Sequence, residues 1–295
     1  MDIVETLNLV AASLHGAQAV TVIALIAWLD SSSSSARTSG PFNDKGRFAL
    51  TSSVPVWYAG PNNGTATTLH LDAGSFDVRY AVVAFFTLSC AFQTVAAVFR
   101  GGRSGPVLRY LEYSVSAATL LCAISVEAGV RDVYTVQAQF MLVFATMMLG
   151  IAAELTQRPE RALYPCALFH LAGWATCLSA YVPAMDAFTQ SARRSELAPP
   201  DFVRVLVFLE FALFMCFGFV QTYVLVAKAY VYASGKVPEE EELMPPSSYY
   251  FHDDDGGSAV HTIEERAEMA FIVLSLVAKT VLCWIVFAPI LQAAM

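Results

Sequence analysis

Seven apolar runs divide this chain, at residues 7–29, 77–99, 107–128, 133–155, 163–184, 202–232 and 267–290. Each is near the roughly 20 residues that a helix needs to cross the hydrocarbon of a bilayer. Polar and turn-forming residues separate them. The pattern predicts an all-α integral membrane protein, a seven-transmembrane-helix bundle forming one domain over residues 1–295 and surrounded by membrane lipid. Seven crossings put the two termini on opposite membrane faces.

The connections differ in kind. The first, residues 30–76, is long and polar and opens with Ser31 to Ser35. Within it VPVWYAG and TATTLHL flank Pro61-Asn62-Asn63-Gly64. Asn-Gly between β-prone runs predicts a two-stranded hairpin, lying as a flap over one membrane face. The second connection, Arg100 to Arg103, is short and basic, and the third, Gly129 to Asp132, is close to a tight turn. The fourth, residues 156–162, holds Arg158, Pro159 and Arg161, and the fifth holds Arg193, Arg194, Pro199 and Pro200. The sixth, residues 233–264, is Pro-rich and acidic and is expected to be disordered in part.

Composition agrees with the pattern, since 56% of the 295 residues are hydrophobic and 14% charged, which excludes an ordinary soluble domain. The net charge of −8 points to no nucleic-acid partner, because most of the acid excess sits in one loop, at Glu239 to Glu242 and Asp253 to Asp255. Cys90, Cys122, Cys166, Cys177, Cys216 and Cys283 all fall in apolar runs without metal-ligand spacing. They read as small core hydrophobes, with no metal site and no disulfide framework. The N-terminus lacks the basic region and cleavage site of a secretory leader, so no cleaved signal peptide is expected. Apart from Lys279, the lysines and arginines divide evenly between the two faces. Discounting the long first loop leaves a slight preference for a cytoplasmic N-terminus and an extracellular C-terminus.

The chemistry concentrates in the charges that the apolar runs enclose. Lys279 lies near the middle of AEMAFIVLSLVAKTVLCWIVFAP, residues 267–289. An ammonium in hydrocarbon costs roughly 2.5–3.5 kcal/mol on insertion scales, so it needs a partner or a chemical role. Snorkelling is the plain alternative, but a four-carbon stem does not reach water from that depth. A desolvated lysine amine suits Schiff-base formation with an aldehyde. A protonated Schiff base would in turn need a carboxylate within about 4–6 Å.

Four glutamates lie in or at the edge of the runs. Glu112, in RYLEYSVSAAT, is the first choice of counterion, because Tyr113, Ser114 and Ser116 can hydrogen-bond its carboxylate. Its alternative is a helix-end acid in the headgroup layer. Glu210, in VRVLVFLEFALFMCF, has apolar neighbours on every side and is expected to rest protonated. It reads either as a proton-exchanging relay or as a neutral acid hydrogen-bonded to a neighbouring helix. Glu127 and Glu154 stand near run ends and read as interfacial. His15 and His170 fit either proton relays or hydrogen-bonded structural groups. Ser275 precedes Lys279 by one helical turn on the same face. No catalytic residue is assigned, and the protein is not read as an enzyme.

Two motifs carry a family resemblance. FIVLSLVAKTVLCW, at Phe271 to Trp284, resembles the seventh-helix signature of the heliorhodopsins, with serine where pumping microbial rhodopsins have aspartate four residues before the lysine. RYLEYSVS, at Arg109 to Ser116, resembles the third-helix motif whose glutamate is the Schiff-base counterion. The resemblance implies covalent all-trans retinal on Lys279, Glu112 as counterion and Ser275 beside the Schiff base. It also implies an N-terminus in the cytoplasm, a homodimer, and a first extracellular loop that covers the surface. Pocket or polar-network positions that match are His15, Gln18, Ser89, Tyr113, Ser116, Met147, Tyr181, Gln221 and Trp284. Three departures stand out: Gln93 where a second-helix histidine is expected, Glu210 where the family is apolar, and a long acidic sixth loop.

Two functions follow as expectations, and a third, a non-photochemical receptor or transporter, would require Lys279 to bind no retinal. In one, Glu210 adds a relay and protons cross the membrane in light, by gated passive conduction rather than pumping, since no carboxylate pair flanks the Schiff base in series. In the other nothing crosses, and a slow photocycle signals through the dimer or through a cytoplasmic partner at the acidic loop.

Overall fold

A computed structural model describes residues 3–32, 47–57, 66–98, 104–158, 163–193, 200–234 and 255–292. Its helices are α1 (Ile3–Ser32), α2 (Val78–Val98), α3 (Ser104–Ala128), α4 (Val133–Thr156), α5 (Cys166–Ala192), α6 (Asp201–Ala233) and α7 (Asp255–Gln292). All seven contain a stretch long and apolar enough to cross a membrane, which makes the chain a multi-pass membrane protein. Consecutive helices pack side by side, and α1 closes the bundle against α7.

Two boundaries differ from the hydropathy pattern. The fifth helix runs to Ala192 instead of 184, through Pro183, because its last turns are polar. Gln190 donates to Asp186 over 2.7 Å on that exposed end. The seventh helix starts at Asp255 rather than 267, so the last ten residues of the connection at 233–264, expected to be disordered in part, are helical. Ile263-Glu264-Glu265-Arg266-Ala267-Glu268 is rich in helix formers, and polarity rather than propensity ended the apolar run there. Lys228 of α6 pairs with Glu264 and ties the extension to its neighbour. Glu239 to Glu242 and Asp253 lie outside the described residues.

The expected hairpin is present as β1 (Arg47–Trp57) and β2 (Ala66–Asp77), antiparallel and in register from Arg47 opposite Asp77 to Trp57 opposite Ala66. The strands extend beyond the two runs that signalled them, and the Asn62-Asn63-Gly64 turn lies outside the described residues. An irregularity between Leu50 and Thr51 bends the ribbon, with Gly74 opposite Leu50 at φ 102°. The Thr51 amide then donates to the Arg131 carbonyl over 2.8 Å. This docks the hairpin on the turn between α3 and α4, where Asp132 caps α4 by accepting from the Thr135 amide at 2.8 Å. Leu50, Phe48 and Phe76 pack there against Cys122, Val126 and Val136.

The largest buried cluster joins α1, α2, α3, α6 and α7 through residues such as Val22, Phe86, Ile124, Leu206 and Phe287. The six cysteines are free. Four are buried as expected of small core hydrophobes, whereas Cys90 is half-buried and Cys216 faces outward, which an apolar run alone does not distinguish. No group of side chains among the described residues could hold a metal.

Candidate functional site

Lys279 is buried at mid-helix in α7, and what surrounds it follows from two neighbouring helices. Its amine pairs with Glu112 of α3 and donates to Ser89 Oγ of α2 over 2.6 Å. Both charged residues are only 4% exposed. Two buried charges hold in such a place only when each neutralises the other and their remaining hydrogen-bonding capacity is met. The rings of Tyr113 and Phe85 lie 5.1 and 5.3 Å from the ammonium and add a weaker attraction. Tyr113 donates in turn to the Phe271 carbonyl at 3.3 Å.

One side of this pair opens into an apolar cavity lined from α2 through α7, with about 970 Å³ of space between atoms, its mouth included. Phe85, Tyr113, Met147, Trp174, Phe214 and Phe217 form its walls, and Ser116, Ser275 and Gln221 supply polar atoms. Gly150 and Gly218 are needed in these walls. A Cβ at either would come within 2.4 Å of Tyr110 or 2.5 Å of Trp174, closer than any real contact. A long apolar ligand with an aldehyde fits this donor set, because the cavity ends on a primary amine and is otherwise largely hydrocarbon.

On its other side the pair meets a small polar pocket formed by Asn8, Gln93, Arg109, Glu112, Tyr113 and Glu268, among others. Arg109 is buried there, pairing with Glu268 and donating to Glu154 over 2.9 Å. The Tyr110 hydroxyl also donates to Glu154, at 3.2 Å. Sequence reasoning missed this cluster, since it placed Glu154 in the headgroup layer and gave Glu268 no role. The available signal was Arg109 itself, a second buried cation one turn before Glu112.

The remaining residues singled out in the sequence divide into three groups. His15 is fully buried, its Nδ1 lies 3.2 Å from Gln18 Oε1, and Gln18 donates to Thr280 at 3.0 Å, so a polar string reaches the residue next to Lys279. His170 is held by Thr222 at 2.8 Å and Trp174 at 3.0 Å, the structural alternative among its readings. Tyr181 packs on Phe211 and Phe214 with ring centroids 5.4 and 5.3 Å away, and Trp284 packs on Phe287 at 6.2 Å. Neither Tyr181 nor Trp284 is among the cavity's lining residues.

Glu210 stands apart from the Lys279 pair. It is fully buried on the inward face of α6, and neither carboxyl oxygen has a hydrogen-bond partner among the described residues. Cys122, Cys177, Tyr181 and Cys283 lie within electrostatic reach of it. Cys283 stands one turn after Lys279 on α7. Glu127 is half-buried and interacts with Arg131 at the hairpin end of the bundle.

A family model described as heliorhodopsin matches residues 4–236. The match spans α1 to α6, including Glu112 and Glu210, and ends before the helix that carries Lys279. A search of curated proteins returns no match.

Proposed function

The chain belongs to the heliorhodopsin family, and from that premise we propose that it is a light-responsive retinal protein which conducts protons passively in light. The buried Lys279–Glu112 pair at the end of an apolar cavity is the observation that carries this reading. All-trans retinal, bound to Lys279 as a Schiff base, supplies light absorption and a change of shape. Glu112 holds the positive charge on the Lys279 nitrogen, while Ser89 accepts a hydrogen bond from it. Ser275 and Ser116 present hydroxyls to the same end of the cavity, and Tyr113 and Met147 shape its wall. His15 stands as a proton-accepting group on the α1 side, hydrogen-bonded to Gln18, with Gln93 where relatives carry a histidine.

Glu210 exchanges a proton in this proposal, because a buried carboxyl that can take up and release a proton is the element a membrane proton path requires. Passive conduction is favoured over pumping, since Lys279 pairs with one carboxylate among the described residues rather than with two in series. The N-terminus is assigned to the cytoplasm and the C-terminus to the outside. The hairpin is then extracellular and the 233–264 connection cytoplasmic. The protein acts as a homodimer.

Expression with all-trans retinal tests the foundation, and light-induced currents under voltage clamp test the transport. A pigment absorbing in the visible is expected, with a current that reverses as the proton gradient is reversed. No visible band, or one that survives Lys279→Ala, overturns the retinal reading. A normal pigment without current overturns conduction and leaves signalling through the dimer or a partner at the acidic connection.

A further inference from the structure

Most polar side chains lining the main cavity already use their hydrogen-bonding capacity within the protein. Thr146 donates to the Leu142 carbonyl at 2.9 Å. His170, Tyr113 and Lys279 are engaged as described above. Ser116 Oγ and Ser275 Oγ also have no partner among the described residues, but each stands in a helix, where its hydroxyl can turn to the carbonyl four residues back. Gln221 has no such outlet. Its side chain lines the cavity, the residue is 6% exposed, and neither Nε2 nor Oε1 has a hydrogen-bond partner among the described residues. An amide carries two donors and an acceptor, so leaving all of them unmet in an apolar wall is costly.

The position of this amide says which part of a ligand it meets. Phe217, one turn before Gln221, stacks on Phe271 with ring centroids 6.1 Å apart. Phe271 precedes Lys279 by two turns, roughly 12 Å of helix. Gln221 therefore faces the end of the cavity remote from the amine, where a long ligand attached at Lys279 places its far end. A hydroxyl is the small group that both donates and accepts, so it can satisfy either end of the amide. A plain hydrocarbon ring satisfies neither.

We propose that Gln221 makes this cavity select a retinal whose ring bears a hydroxyl over unsubstituted retinal, an inference that rests on Lys279 being the retinal attachment site. The test loads the full chain, expressed without chromophore, with an equimolar mixture of all-trans retinal and all-trans 3-hydroxyretinal, then extracts and quantifies what is bound. Wild type is expected to be enriched in the hydroxylated form by about threefold to tenfold, the discrimination of one added neutral hydrogen bond. Gln221→Leu and Gln221→Met should load both at the supplied ratio. A supplied ratio in wild type, as a water held on the amide would give, overturns the proposal, as does enrichment that persists in both variants. If neither aldehyde gives a pigment that depends on Lys279, the retinal reading itself fails, and that result is distinguishable from equal loading.

Discussion

Lys279 on α7 and Glu112 on α3 form an ion pair that solvent barely reaches, with side chains 6% and 5% exposed. Removing one member of such a pair leaves the other charge without compensation, a cost of about 3–5 kcal/mol. In Glu112→Gln the retinal-loaded protein should lose the proton on the Lys279 nitrogen at a pH lower by about two to four units, at ~1.4 kcal/mol per unit. A spectrophotometric pH titration of the visible band measures this. An unchanged midpoint would show that Glu112 does not hold the charge.

Glu210 offers a cleaner separation of structure from transport. Glutamine keeps its shape but cannot take up and release a proton. With no hydrogen bond to lose among the described residues, Glu210→Gln should leave the thermal midpoint within a few degrees of wild type. The light-induced proton current should fall at least tenfold while the visible band stays. A current of wild-type size in that variant would remove Glu210 from the path.

The parts of this molecule that were legible in sequence are those with local signals. Hydrophobic runs marked all seven crossings, and Asn63-Gly64 between β-prone segments marked the hairpin. Lys279 announced itself through the cost of an ammonium in hydrocarbon. The Arg109 cluster was not legible, because its bonds join residues 45 and 159 positions apart and no local pattern reports such a contact. The early start of α7 was missed for a different reason. Hydropathy measures where the bilayer lies, whereas helix propensity continues into the polar layer. Tyr181 shows a third limit, since the inward face of a helix does not tell which of two buried clusters a side chain joins.

Arg109 holds two carboxylates, Glu154 and Glu268, with its own side chain 7% exposed. Arg109→Met should therefore destabilise the protein by about 3–5 kcal/mol, the range for breaking a buried pair. Glu268→Gln should cost less, because Glu154 still meets the guanidinium. Thermal unfolding in detergent, read from the visible band, ranks the variants. Equal midpoints for Arg109→Met and wild type would mean that water rather than protein solvates this cluster.

Asp77 gives the hairpin a pH-dependent anchor outside the spans. Arg79, 2% exposed at the start of α2, reaches both of its oxygens at 3.0 and 2.7 Å and also Asp30 of α1 at 3.1 Å, while Arg47 adds a bond at 3.2 Å. Burial acts to raise the Asp77 carboxyl, but the hydrogen bonds and charge of Arg79, with Arg47, outweigh it and hold it below its ordinary value. A carboxyl lowered in the folded state contributes stability that is fully present above its unfolded pKa of about 3.9 and is lost as pH falls through the folded value. Wild type should thus unfold at a higher temperature than Asp77→Asn near neutral pH, and the gap should close as the pH drops below about 4. High salt should narrow it less than for an exposed pair, since Arg79 is buried. Thermal midpoints of the two proteins across that range decide the matter, and a gap that stays constant down to strong acid would show that the carboxylate charge plays no part in holding the hairpin.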